Sequence, residues 1–117
     1  MISRLGEFDW LVFSSVNGVR CFFDLFHRRF EDIRSLGFLR IAAVGRSTAA
    51  AVVGHRLKVE IVPIIADAES LAEAMLNERA MDNVKVLVVT GNLGRGAVVE
   101  RLEEARAIVD VMPVYRT

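Results

Sequence analysis

The chain has 117 residues, 53% of them hydrophobic, and its 15 Lys and Arg residues balance its 15 Asp and Glu residues. This length suits one domain with its own core, and the zero net charge argues against nucleic-acid binding, which needs a basic face. The lone cysteine, Cys21, cannot form an internal disulfide and fits a reducing cytoplasm, where we expect the protein. We find no signal-peptide pattern, and polar residues interrupt the longest apolar run, so we expect no membrane segment.

Apolar patterns of two periods alternate along the chain. Short runs rich in Val and Ile predict strands buried on both faces, at residues 9–13, 40–44, 59–62, 85–90 and 109–114. Helical periodicity predicts four helices between them, at residues 16–30, 48–54, 68–79 and 94–107. This alternation predicts an α/β fold over residues 1–117, with a five-stranded parallel sheet between two helical layers. We expect a flavodoxin-like three-layer sandwich with strand order 2-1-3-4-5, although the pattern itself does not determine the order.

Small polar residues follow the predicted strands. The positions where helix N-caps belong are Ser15, Ser47, Asp67 and Asn92. The carboxyl ends of parallel strands share one edge of a sheet, and helix N-termini there favour anions by roughly 0.3–1 kcal/mol per exposed contact. Two interpretations stay open: these residues only cap their helices, or together they hold a polyanionic small molecule.

Other candidate motifs are weaker. The glycines of residues 91–96 match neither the dinucleotide-binding pattern nor a P-loop. His27 and His55 are far apart and lack partners at ligand spacing, so we expect partly exposed helix histidines and no metal site. Tyr115, the one tyrosine, can donate a proton or a hydrogen bond at neutral pH, or can be a simple tail residue.

Separated segments resemble uroporphyrinogen-III synthase. Residues 8–19 are similar to the family's DWLVFTSxNGV opening, and residues 41–49 are similar to its AVGxxTA turn. Val62 and Pro63, followed by DAESLA at residues 67–72, resemble a further helix entry. GNLGR at residues 91–95 and VYRT at residues 114–117 resemble its GNLxR and VYxT pieces. The order and spacing of these segments cover nearly the whole chain.

The resemblance implies a cofactor-free lyase of haem biosynthesis. Such an enzyme converts hydroxymethylbilane, a polycarboxylate tetrapyrrole, into uroporphyrinogen III with loss of water and inversion of the last pyrrole ring. By resemblance, Tyr115 is the catalytic residue that helps the hydroxyl leave. The residues that would bind substrate are Ser15, Thr48, Gly91 and Asn92, with Ser14 and Ser47 beside them. Ser14 stands where the family usually has threonine, a mild departure.

Family members are about twice as long, with this domain inserted into another. The resemblance therefore implies that a companion domain, absent from this chain, forms the opposite wall of the cleft. We expect the chain alone to have little or no synthase activity. The alternative, from another class, is a non-catalytic anion-binding or partner-interaction domain that uses the same sheet edge.

Overall fold

A computed structural model describes residues 2–31, 36–37, 39–65, 67–78, 80–90 and 96–113. Within these ranges, a 3-10 helix at Ile2–Glu7 precedes alternating strands and α-helices. The strands are β1 (Trp10–Phe13), β2 (Arg40–Ala43), β3 (Lys85–Thr90) and β4 (Ile108–Pro113). The helices are α1 (Val16–Arg29), α2 (Arg46–Val53), α3 (Ala68–Glu78) and α4 (Gly96–Glu104). None of these described helices combines the length and the apolar character that crossing a membrane requires.

The strands form one parallel sheet in the order β2-β1-β3-β4. Successive residues of the central strand β1 alternate between two cores. Leu11 and Phe13 face α1 and α2, whereas Trp10 and Val12 face α3 and α4. Because both faces are covered, the strands are mostly apolar, as is typical of parallel sheets, and their charged residues are Arg40, Lys85 and Asp110. The predicted α/β architecture with helices on both faces is confirmed.

The prediction of five strands in the order 2-1-3-4-5 is wrong. The described residues form four strands, and residues 59–62 contribute a single parallel bridge between Ile61 and Ala42. That bridge lies beyond β2, whereas β1 pairs with β3 on its other side. Pro63 has no backbone N–H for a longer ladder, and its neighbours Val62 and Ile64 are exposed. The segment therefore touches the edge of the sheet without becoming a strand.

Aromatic side chains of α1 fill the core on one face of the sheet. Phe22 is fully buried, and its ring meets that of Phe13 edge to face, with centroids 5.5 Å apart. In the sequence, Val16, Val19, Phe23, Phe26 and Phe30 recur at helical spacing and indicate the apolar face of this helix. Of these, Val19, Phe23 and Phe26 are buried, whereas Val16 is exposed and Phe30 is half-buried. The inward face of α1 is therefore rotated toward Phe22.

Candidate functional site

The carboxyl ends of the central strands lie side by side. Val44 N–H donates to the Phe13 carbonyl oxygen at 3.1 Å, and Ser14 N–H donates to the Val89 carbonyl oxygen at 3.3 Å. The loops that follow β1 and β2 therefore begin at the same edge of the sheet, as the parallel arrangement predicts. This edge contains Ser14, Ser15, Ser47 and Thr48, four of the residues expected to bind substrate.

Ser15 caps α1, as expected. Its backbone is extended, and its Oγ accepts a hydrogen bond from Gly18 N–H at 3.0 Å. A Cβ at position 18 would come within 3.2 Å of that oxygen, so glycine permits the close approach. The Ser15 hydroxyl hydrogen is not needed for the cap, and it remains able to donate to a ligand.

Ser14 links β1 to β3. Its Oγ donates to the Val89 carbonyl oxygen at 3.3 Å, the same oxygen that accepts from its backbone N–H. The side chain is half-buried. While this bond stands, the hydroxyl can accept a hydrogen bond from a ligand but cannot donate one.

Helix α2 begins earlier than the sequence predicted. Its N-cap is Gly45, which offers no side-chain acceptor, and its first backbone bond joins Ala49 N–H to Gly45 O at 2.9 Å. The prediction of Ser47 as N-cap is wrong, because Ser47 is the second residue of the helix and its side chain is exposed. The N–H groups of Arg46, Ser47 and Thr48 precede the first helical bond and have no intrahelical acceptor.

A pocket of about 1010 Å³ opens at this helix end. Its wall combines the residues that directly follow β2, one face of α2 and the segment after the Ile61 bridge. The lining residues are Val44, Gly45, Arg46, Ser47, Thr48, Ala49, Ala50, Val53, Val62, Pro63 and Ile64. The apolar residues Val53, Val62 and Ile64 were not predicted as site residues, since they become neighbours only in the folded chain.

Thr48 is the most buried polar residue of this pocket, with 6% of its surface exposed. Every enclosed polar side-chain atom in the described part of the chain has a partner, whereas we find no hydrogen bond for the Thr48 hydroxyl there. Its oxygen therefore keeps some exposure to solvent, and the residue lines the pocket. The hydroxyl is available to a ligand in the wall of this pocket.

The charges around the pocket are unequal. Arg46 is exposed in the first turn of α2, and none of the ion pairs found between described residues includes it. A neighbouring depression, on the far side of residues 62–64, is lined instead by Glu69 and by Glu73, whose carboxylate pairs with Arg101. The positive end of the α2 dipole adds to the Arg46 charge. The first pocket therefore favours anions, and the second does not.

Three of the expected site residues, Gly91, Asn92 and Tyr115, lie outside the described residues. The predicted N-cap role of Asn92 is therefore not tested by the described residues. The other predicted cap, Asp67, is confirmed, because its Oδ1 accepts from Ser70 N–H at 2.7 Å and this bond lowers the carboxyl pKa.

The histidines are not far apart in space. The rings of His27 on α1 and His55 after α2 have centroids 6.0 Å apart, which corrects the expectation from sequence. Burial lowers the pKa of His55 and the nearby His27 lowers it further, against the opposing effect of Asp24. Within the described ranges, no group of three or more side chains is placed to hold a metal ion.

Comparison with known proteins identifies related sequences over nearly the whole chain. The family described as "Uroporphyrinogen-III synthase HemD" matches residues 1–117. The "Porphyrin biosynthesis protein HemD" of Ruminiclostridium josui is 32% identical over 114 residues, which is 97% of this chain and 22% of the relative. The chain thus spans less than a quarter of that relative's length.

Proposed function

Because the chain belongs to the uroporphyrinogen-III synthase family, we propose that it forms one wall of the active site that cyclises hydroxymethylbilane. The product would be uroporphyrinogen III, formed with loss of water and inversion of the last pyrrole ring. The observation that carries the proposal is the uncapped start of α2 beside the unpartnered, nearly buried hydroxyl of Thr48. Both face one pocket at the carboxyl edge of the sheet.

The pocket chemistry suits a substrate with many carboxylates. The free N–H groups of Arg46, Ser47 and Thr48 can donate to carboxylate oxygens, and the Thr48 hydroxyl can add a further bond. Hydrogen bonds to charged groups contribute about 1.5–3 kcal/mol each, so a few of them can position one carboxylate arm. The Ser15 hydroxyl can donate a hydrogen bond to a second carboxylate arm of the substrate, at the end of the neighbouring strand β1.

The proposed reaction needs no net oxidation or reduction. The hydroxymethyl C–O bond breaks as its oxygen gains a proton and leaves as water. The resulting cation closes a spirocyclic intermediate, which reopens and recloses with the last ring reversed. The ring carbon that closes the macrocycle loses one proton, which restores the acid. We assign the proton donor to Tyr115, whose phenol is protonated at neutral pH.

The proposed site needs a second wall. The described lining comes from residues 44–45 after β2, from α2 and from residues 62–64, and the pocket remains open to solvent. We assign the other side to a companion domain of a longer polypeptide. On this proposal the chain alone does not exclude water from the cation and has little or no activity.

The test supplies hydroxymethylbilane to this chain alone and to a polypeptide that also contains a companion domain. The ratio of type III to type I product is measured, because type I forms without enzyme. We expect type III only from the longer polypeptide. Appreciable type III from this chain alone would contradict the need for a companion. Absence of type III from both, with carboxylate binding retained, would favour the alternative of a non-catalytic anion-binding domain.

A further inference from the structure

The pocket wall beside α2 is unusually apolar for an anion site. Ile64 is fully exposed, Val53 is 56% exposed and Val62 is 37% exposed, and all three line the same pocket. Single exposed apolar side chains need no explanation, but a group of them around one concave surface marks a binding site. Whatever binds here must offer the pocket apolar surface as well as negative charge.

The polar and apolar residues that α2 contributes to this wall lie at opposite ends of the helix. Arg46 stands at the start of α2 and Val53 at its last residue, on the helix face that lines the pocket. At 1.5 Å per residue, they are about 10 Å apart along the axis. Ala49 and Ala50 lie between them, and their small side chains leave space for a ligand in the groove of this pocket. This length suits a five-membered ring with one short carboxylate arm.

Residues 62–64 give the groove its direction. On one side they line the pocket together with α2, and on the other they line the depression that contains Glu69 and the Arg101-paired Glu73. A carboxylate near Glu69 would be repelled, whereas one at the start of α2 meets free N–H groups, the Thr48 hydroxyl and Arg46. A bound ring would therefore point its carboxylate toward Thr48 and its apolar face toward Ile64.

We propose that this groove is a subsite for a single carboxylate-bearing pyrrole ring, with Val53 and Ile64 as the residues that select the ring. Arg46, Ser47 and Thr48 hold the carboxylate, and the apolar wall distinguishes a pyrrole from an equally charged ligand without a ring. This assignment rests on the proposed function, since it takes the ligand to be one ring of the tetrapyrrole.

Two probes separate recognition of the ring from recognition of charge. Porphobilinogen is one pyrrole with two carboxylate arms, and citrate is a ring-free polycarboxylate. Their dissociation constants are measured with the 117-residue chain by titration of backbone amide NMR signals. We expect Ile64→Ser and Val53→Ser each to weaken porphobilinogen binding about tenfold, or about 1.4 kcal/mol, and to change citrate binding less than twofold.

Two further variants calibrate the measurement. Arg46→Ala should weaken both ligands about fivefold, because it removes charge and no ring contact. Ile108→Ser, at an isoleucine of 48% exposure that does not line this pocket, should weaken neither. The residues changed in the four variants, at positions 46, 53, 64 and 108, are all exposed, so we expect each variant to fold. Circular dichroism checks the folded state of each one.

Either of two results would overturn the subsite. In the first, Ile64→Ser and Val53→Ser weaken the binding of porphobilinogen and citrate equally. In the second, Ile64→Ser weakens porphobilinogen binding no more than Ile108→Ser does. Failure of the proposed function is a different result: ring-selective binding would persist while the longer polypeptide formed no type III product. Loss of ring selectivity with cyclisation intact would count against the subsite alone.

Discussion

The imidazole of His55 stacks on the ring of Phe23, with centroids 4.1 Å apart and planes inclined by 19°. Phe23 belongs to α1, and His55 follows the last turn of α2, so this contact joins the two helices of one layer. His27, one turn beyond Phe23 on α1, lies 6.0 Å from the His55 ring. A charge on His55 would therefore face a second imidazole across a partly buried aromatic contact.

This arrangement predicts a pH-dependent stability. The folded state lowers the pKa of His55 below 6.5, so the unfolded chain binds its proton more readily. Well above pH 6.5, His55 is neutral in both the folded and the unfolded state, so it contributes no pH dependence there. As pH falls through 6.5 the folded state loses stability, and the loss is complete below the folded pKa. Urea unfolding at pH 7.5 and pH 5 should show a smaller difference for His55→Gln than for the parent chain.

The matched control for this prediction is His27→Gln. It removes the repelling partner and should bring the pKa of His55, measured by NMR titration, back toward its ordinary value. An unchanged His55 pKa in this variant would leave burial as the only cause that lowers it. An equal pH dependence in His55→Gln and the parent chain would contradict the assignment to His55.

The reassigned caps predict unequal effects for two serines. Ser15→Ala removes the acceptor of Gly18 N–H and should lower the free energy of unfolding by about 1 kcal/mol. Ser47→Ala removes no cap and should change it by less than about 0.5 kcal/mol. Thermal or urea unfolding of the two variants measures this difference. A larger loss for Ser47→Ala would restore Ser47 as the cap.

Two residues of α1 test its inward face. Phe22 is fully buried and Leu25 is 40% exposed, although both are large apolar residues of the same helix. Phe22→Ala should lower the free energy of unfolding by about 3–5 kcal/mol, because it leaves a cavity against Phe13. Leu25→Ala should cost less than about 1 kcal/mol in the same urea titration. Similar losses for both would contradict the rotated face.

Thr48→Val tests the role of the buried hydroxyl in substrate binding. Valine keeps the shape of the side chain and removes its oxygen, so the hydrogen bond proposed for a substrate carboxylate is lost. In a polypeptide that forms type III product, kcat/KM should fall about tenfold or more, as expected for a bond to a charged group. Thr48→Ser, which keeps the hydroxyl, should retain most of the activity. Equal activity of the valine and serine variants would remove Thr48 from the site.

Tyr115→Phe tests the proposed proton donor. Phenylalanine keeps the ring and removes the phenol, and positioned acids contribute about 10²–10⁴-fold to a rate. Assays of type III formation that are quenched at set times should show kcat reduced by about 10²–10⁴-fold and KM little changed. An unaltered kcat would make Tyr115 a tail residue with no part in the chemistry.

Much of the fold could be predicted because its signals are local. Apolar runs buried on both faces and the helical repeats between them predict a parallel α/β sheet wherever they occur. Ser15 and Asp67 bond to backbone N–H groups three residues away, so their capping roles are also visible in the sequence. The family resemblance depends on short motifs in order, and the match over residues 1–117 confirms it.

Contacts between distant segments decided the rest. Nothing near Ile61 indicates that it lies beside β2 and not β1, because strand order depends on how whole crossovers pack across the sheet. His27 and His55 come together only because α1 and α2 share one layer. In the same way, the apolar wall of Val53 and Ile64 forms when the segment after the bridge meets α2. The sequence by itself determined the elements and the family, and tertiary packing decided which residues became neighbours in the pocket.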